Sequence, residues 1–177
     1  LFLKSFRKRK QMTQNDFVVV LGATGGIGQS ICRQLAKDGW SIYLHYNRQE
    51  QEVKKLKETL QNDFPALTFT SVQADFETDV GAEKIAQIVS SVRAIVVANG
   101  QSMNQLLTET MPEDMNALWK VHMQTPARLV SLLSNRLRQH EVSYIVFIGS
   151  IWGNTGAAGE VMYSAVKGAQ HAFVKAY

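Results

Sequence analysis

A chain of 177 residues with 45% hydrophobic and 19% charged residues has the size and balance of one globular domain. Its single cysteine, Cys32, and four scattered histidines exclude a disulfide framework and offer no zinc-ligand spacing, which points to a reducing, cytoplasmic setting. The net charge of +4 is local: Lys4, Arg7, Lys8, Arg9 and Lys10 crowd the first ten positions, leaving 14 basic against 15 acidic residues, a net of −1, over the rest.

The leader, residues 1–11, reads either as an arm for nucleic acid or a membrane surface, or as a disordered extension from a vector or a misplaced start. Met12 stands just before the first apolar run like an initiator, so the second reading is expected, with no nucleic acid and no membrane as partner. From Met12 onward the text alternates. "DFVVVLG" (16–22) is a continuous apolar run, the mark of a strand buried on both faces. Over 26–38, Ile27, Ile31 and Leu35 recur every four residues as a helical stripe, with Cys32 packed beside it. "WSIYLHY" (40–46) reads as a second strand, and 49–62 as a charged helix turning Val53, Leu56 and Leu60 inward. "LTFTSVQ" (67–73) is a third strand, followed by a helix near 79–90. "RAIVVANG" (93–100) is a fourth strand running into a turn. A long helix at 112–138 is expected to kink or break at Pro126. "SYIVFIG" (143–149) is a fifth buried strand and 161–177 a last helix. Strands alternating with helices specify an α/β, doubly wound parallel sheet of the Rossmann-like kind, because each crossover must traverse a face of the sheet. Ligands bind such sheets at the strands' carboxyl ends.

The chemistry-bearing residues stand at those ends. After strand one, "GATGGIG" places Gly22, Gly26 and Gly28 in G-x3-G-x-G spacing, with Thr24, Gly25 and Ile27 between them. Glycines let the backbone approach a pyrophosphate while the helix N-terminus offers N–H groups and positive dipole. No Lys-Ser/Thr follows, so this is not a Walker loop. After strand two, a dinucleotide binder selective for NAD places an acid about 20 residues past the glycines. Here Asn47 stands nineteen past Gly28, followed by Arg48. A guanidinium beside a neutral residue suits a 2′-phosphate, the expected reading; the alternative is a solvated surface arginine. Asp75, with Phe76 after strand three, is either an acceptor for the adenine amino group or a helix N-cap. Asn99-Gly100 after strand four is a backbone approach site beside the cofactor. Ser150 ends strand five, and thirteen residues on comes Tyr163-x3-Lys167, one helical turn that puts phenol and ammonium on one face. The ammonium favours the phenolate form, which lets Tyr163 act as a general acid toward a carbonyl oxygen that Ser150 orients. A serine hydrolase is excluded, because Ser150 sits in "GSIWG" rather than G-x-S-x-G.

Together the glycine turn, "ANG", Ser150 and Tyr163-x3-Lys167 resemble the short-chain dehydrogenase/reductase family from Phe17 to Tyr177. The resemblance is greatest to the 3-oxoacyl-acyl-carrier-protein reductase branch. "SIWGNTGAAGEVMYSAVKGAQHAFVKA" is also similar to a bacterial subgroup that reduces a ketone carried on elongation factor P. The resemblance implies NADPH (NADP) as cofactor, a small-molecule or carrier-protein-bound ketone as substrate, and a homo-oligomer, dimer or tetramer, built through the helices at 112–138 and 161–177. The family asparagine that completes a water-linked proton relay with the lysine is replaced by His122, which either takes over that relay or is a packed helical residue. The family also continues with two more strands and a substrate-covering loop, so this chain is expected to be a truncated copy that lacks the last strands.

Overall fold

The first described strand, β1 (Phe17–Leu21), shows why a continuous apolar run is needed: its side chains serve two cores at once. Val18 and Val20 join one buried cluster while Val19 and Leu21 join the other, all four at 0% exposure. The computed structural model describes residues 16–177, so the basic leader at 1–11 lies outside the described residues. Helices α1 (Gly26–Lys37) and α2 (Glu50–Asp63) cover one face of the sheet. Cys32, Leu35, Val53, Leu56 and Leu60 point inward there. The other face is covered by α3 (Gly81–Ile88) and α5 (Thr125–Leu137), through Ala82, Ile85, Leu129, Val130, Leu133 and Leu137. Each fully buried aliphatic side chain of these layers contributes about 1.5–3 kcal/mol.

Strands β2 (Ser41–Tyr46), β3 (Phe69–Gln73), β4 (Ala94–Val97) and β5 (Tyr144–Phe147) complete a five-stranded parallel sheet in the order β3-β2-β1-β4-β5. Val18 pairs with Ile42 on one side and Ala94 on the other, so β1 is central and the strand order reverses between β1 and β4. A crevice for a ligand opens at that reversal. At the opposite end of the sheet, buried Asp16 accepts from the Arg93 guanidinium at 2.6 Å, and Arg93 Nε donates to the Val142 carbonyl. This charge-assisted pair ties the starts of β1, β4 and β5 together, away from the crevice.

The segment expected as one long helix with a kink or break at Pro126 is three pieces: α4 (Pro112–Trp119), a π turn (Lys120–Gln124) and α5. The cause is Pro126. In an α-helix the N–H of residue 126 would donate to the carbonyl of residue 122, but proline has no N–H and its ring crowds that carbonyl. The chain widens into the π turn just ahead of it, where the Thr125 N–H reaches back to the Lys120 carbonyl. A four-residue helix, α6 (Trp152–Thr155), precedes the last one, α7 (Val161–Ala176). Gly153 lies so close to α7 that a Cβ there would stand 2.8 Å from the Lys167 carbonyl carbon. Among the described residues no helix is long and apolar enough to cross a membrane.

Candidate active site

The glycine turn after β1 is built by close backbone approach. Gly22 has φ +73°, and a Cβ on it would stand 2.7 Å from the Asn99 Cα. A Cβ on Gly28 would fall inside the van der Waals shell of the Gly22 carbonyl oxygen. These two contacts pull the start of α1 onto the ends of β1 and β4. Gly25, the residue before α1, makes no side-chain cap, and a Cβ on Gly26 would meet nothing within 4 Å. The N-terminus of α1 therefore presents N–H groups to open space, the arrangement that holds phosphate.

His45 holds this turn from below, a role the strand pattern of "WSIYLHY" did not reveal. Its Nδ1 accepts from the Gly22 N–H at 3.1 Å, which leaves Nε2 to donate to the Ala74 carbonyl at 3.0 Å. The ring stacks on Phe76 with centroids 4.5 Å apart. Burial pushes its pKa down from 6.5 to about 4, so His45 is neutral in the folded protein. An unfolded chain takes up that proton first as pH falls. The stability from neutral His45 is thus full above about pH 6.5 and is lost as pH drops toward 4, amounting to about 3 kcal/mol. Urea unfolding at pH 7.5 and pH 4.5 should show this loss, and a His45→Gln protein should lose less across the same interval. Equal slopes in the two proteins would assign the acid sensitivity elsewhere.

Two pockets run along the strands' carboxyl ends. The first, of about 460 Å³, is lined by Gly22, Thr24 and Gly25, then Asn47 and Arg48, then Phe76, then Asn99 and Gly100. Arg48 is exposed at its rim. Asp75 stands beside this pocket rather than in its lining. Its Oδ1 accepts from the Glu77 N–H at 3.0 Å and from Asn47 Nδ2 at 3.4 Å. Because α3 starts at Gly81, Asp75 closes a turn and caps no helix.

The second pocket, of about 230 Å³, is lined by Ile27, Ser102, His122, Gly149, Tyr163 and Lys167, and shares Ala98, Asn99, Gly100 and Gln101 with the first. The two form one trough, from Arg48 at one end to Tyr163 at the other. Ile27 of the expected inward stripe is 59% exposed and faces this trough. Ser150 is half-buried next to the trough, where its Oγ accepts from the Trp152 N–H at 3.2 Å at the start of α6. Gly153, three residues further on, packs closely against α7, the helix that carries Tyr163 and Lys167.

Lys167 is 5% exposed, and burial lowers its pKa from 10.5. Its Nζ donates to the Ile148 carbonyl at 2.8 Å and to Gln170 Oε1 at 3.0 Å, and stands 5.7 Å from the Tyr163 ring centroid. Tyr163 meets the His122 ring edge-on at 5.6 Å. His122 Nε2 lies 2.9 Å from the Gln101 carbonyl and 3.1 Å from the Gln101 N–H, one of which it bonds at a time. Its Nδ1 is buried without a partner among the described residues, as is Asn99 Oδ1. Burial and the charge of Lys167 help hold His122 neutral, with a pKa pushed down to about 4. The His122 imidazole thus bonds the loop after β4, while its carbonyl, freed by Pro126, bonds α7 through Gln170. Asn99 Nδ2 takes the neighbouring Val121 carbonyl at 2.7 Å.

This geometry can be set beside known proteins. A family model described as short chain dehydrogenase matches residues 16–177. An uncharacterized oxidoreductase, YmfI, of Bacillus subtilis (strain 168) is 37% identical over 162 residues, which is 91% of this chain and 66% of that protein. The acetoacetyl-CoA reductase of Allochromatium vinosum is 24% identical over 89% of this chain and 65% of its own length. Among solved structures, the L-sorbose reductase of Gluconobacter frateurii complexed with NADPH and L-sorbose superposes with a TM-score of 0.85 at 24% identity, over 90% of this chain and 61% of that one. The chain thus spans slightly less than two thirds of each of these relatives. By the model that matches it from the first described residue to the last, and by the glycine turn, Asn99, Tyr163 and Lys167 gathered along one trough, the chain belongs to the short chain dehydrogenase family.

Proposed function

We propose that this chain carries the dinucleotide site and the catalytic side chains of an NADPH-dependent ketone reductase. The observation behind the reading is the single trough in which the glycine turn and the Tyr163–Lys167 pair meet at Asn99 and Gly100. Bare backbone at Gly25 and Gly26 leaves room for a pyrophosphate at the start of α1. The unpartnered Asn99 Oδ1 offers a buried acceptor midway along. NADPH supplies a hydride when bound. Tyr163 Oη then gives its proton to the carbonyl oxygen of the substrate, Ser150 orients that oxygen, and the Lys167 ammonium stabilises the phenolate left behind.

For the substrate we propose a 3-oxoacyl thioester on coenzyme A or an acyl-carrier protein, supported by the acetoacetyl-CoA reductases of Allochromatium vinosum and an Acinetobacter strain among the relatives. A ketone borne by elongation factor P is the competing substrate. The test mixes protein, NADPH and a panel of 3-oxoacyl thioesters and small ketones, and follows loss of NADPH absorbance. NADPH binding without turnover of any of them would favour a second reading, a non-catalytic dinucleotide-binding module. His122 supports that alternative, since its imidazole makes no hydrogen bond to Lys167.

Cofactor choice gives a separate expectation. Arg48 on the rim, with Asn47 where an acid would favour NAD, should make NADPH bind more tightly than NADH. A charge-assisted contact to the 2′-phosphate is worth roughly 1.5–3 kcal/mol. Arg48→Ala should therefore weaken NADPH about 10- to 100-fold and leave NADH unchanged in titration calorimetry. Equal affinities in the unaltered protein would remove Arg48 from the site.

A further inference from the structure

Gln170 lies on α7 three residues past Lys167, and it is 1% exposed. A carboxamide buried this deeply must find partners for its oxygen and its amide hydrogens or destabilise the fold. It finds both in the site. Gln170 Oε1 accepts from Lys167 Nζ at 3.0 Å, and Gln170 Nε2 donates to the His122 carbonyl at 2.6 Å. That carbonyl is the one Pro126 leaves without its helical donor. An ammonium has three hydrogens. Two of those on Lys167 are committed inward, to Gln170 and to the Ile148 carbonyl, and the third remains for the side where Tyr163 stands.

We propose that Gln170 is a positioning residue that ties Lys167 to the His122 carbonyl and so sets where the ammonium stands beside Tyr163. The inference rests on the reductase reading of Tyr163 and Lys167. An apolar side chain at 170 would leave the His122 carbonyl and one ammonium hydrogen without their present partners. Gln170 also bears on proton traffic. A water or hydroxyl donates and accepts on one atom, whereas an amide keeps its hydrogens on nitrogen and accepts on oxygen, so it passes no proton along. The inner end of Lys167 is therefore closed to a relay. Tyr163 recovers its proton from the open trough, on the side of Ser102 and Gly149.

The test reads Lys167 directly and needs neither cofactor nor turnover. Lysine carbons are labelled with 13C, the Lys167 signal is assigned by its absence in Lys167→Arg, and its titration is followed by NMR. The titratable groups facing it are Tyr163 on its own helix and His122 from the π turn. Gln170→Met keeps the bulk and removes both hydrogen bonds. Losing an acceptor disfavours the charged ammonium, so Lys167 should titrate about one pH unit lower than in the unaltered protein. Gln170→Glu restores an acceptor and adds a negative charge, so Lys167 should titrate above the unaltered protein. If Gln170→Met does not fold, the comparison with Gln170→Glu alone decides. A Lys167 titration unmoved in the folded variants would make Gln170 a packing residue and overturn the proposal. Loss of NADPH absorbance with the ketone panel in the unaltered protein tests the reductase reading separately, so either can fail without the other.

Discussion

Gly28→Ala is expected to lower the stability of the domain by at least about 3 kcal/mol, a fall in melting temperature of roughly 6–12 °C, and to abolish NADPH binding. A methyl group at 28 would collide with the Gly22 carbonyl, and the nearest other atoms are also backbone, at Gly22 and Ala23. No side chain there can swing aside. Relief requires α1 to move off the ends of β1 and β4, which dismantles the turn and the trough together. Gly26→Ala is the matched comparison, because its methyl would meet no atom within 4 Å. In a helix, alanine is favoured over glycine by about 0.5–1 kcal/mol, so this protein should be as stable as the original or more so. Its methyl would still project over the N-terminus of α1 and hinder a pyrophosphate. Thermal unfolding and NADPH titration of the pair separate the two effects. A Gly28→Ala protein of undiminished stability would show that the turn has slack the structure does not reveal.

Tyr163→Phe should lower the turnover of ketone by about 10²- to 10⁴-fold, the usual contribution of a positioned general acid, while NADPH affinity stays within about twofold. The ring would keep its edge contact with His122, so the substitution removes a hydroxyl and little packing. Lys167 would keep its bonds to Ile148 and Gln170. The measurement is steady-state kcat on whichever ketone turns over, beside a cofactor titration on the same preparation. A phenylalanine protein with unreduced kcat would move the proton donor to another group.

The sheet was legible because β1 and β4 are uninterrupted apolar runs, as a strand buried on both faces requires. β5 reads the same way, but as the edge strand it is half-buried rather than the buried strand expected. The same holds for the trough's ends: glycines between a strand and a helix, and Tyr163-x3-Lys167 on one helical face, carry their meaning locally. What escaped was set by distant partners. His45 looks like any strand residue until Gly22 and Ala74 are brought to either side of its ring. Pro126 announced a break in the helix, but the π turn ahead of it depends on Asn99 and Gln170 taking the freed carbonyls of Val121 and His122. Asp75 was open between an adenine acceptor and a helix cap, and the late start of α3 at Gly81 removes the cap, with its Oδ1 closing a turn instead. The short helix α6 was too brief to show a period at all. Gln170 sat in the tail of a motif whose reading stopped at the lysine.

Cys32 on α1 has a use that its chemistry alone conceals. Its thiol is 0% exposed, and burial pushes its pKa up to about 12, so the folded protein keeps it protonated and shielded from alkylating reagents. It is also the chain's single cysteine, so any label acquired under native conditions marks one place. That place is the layer between α1 and β1, about one turn of helix past Gly28. The rate at which the thiol is modified therefore counts how often α1 lifts from the sheet. A ligand clasped by the start of that helix slows the clock in proportion to its occupancy.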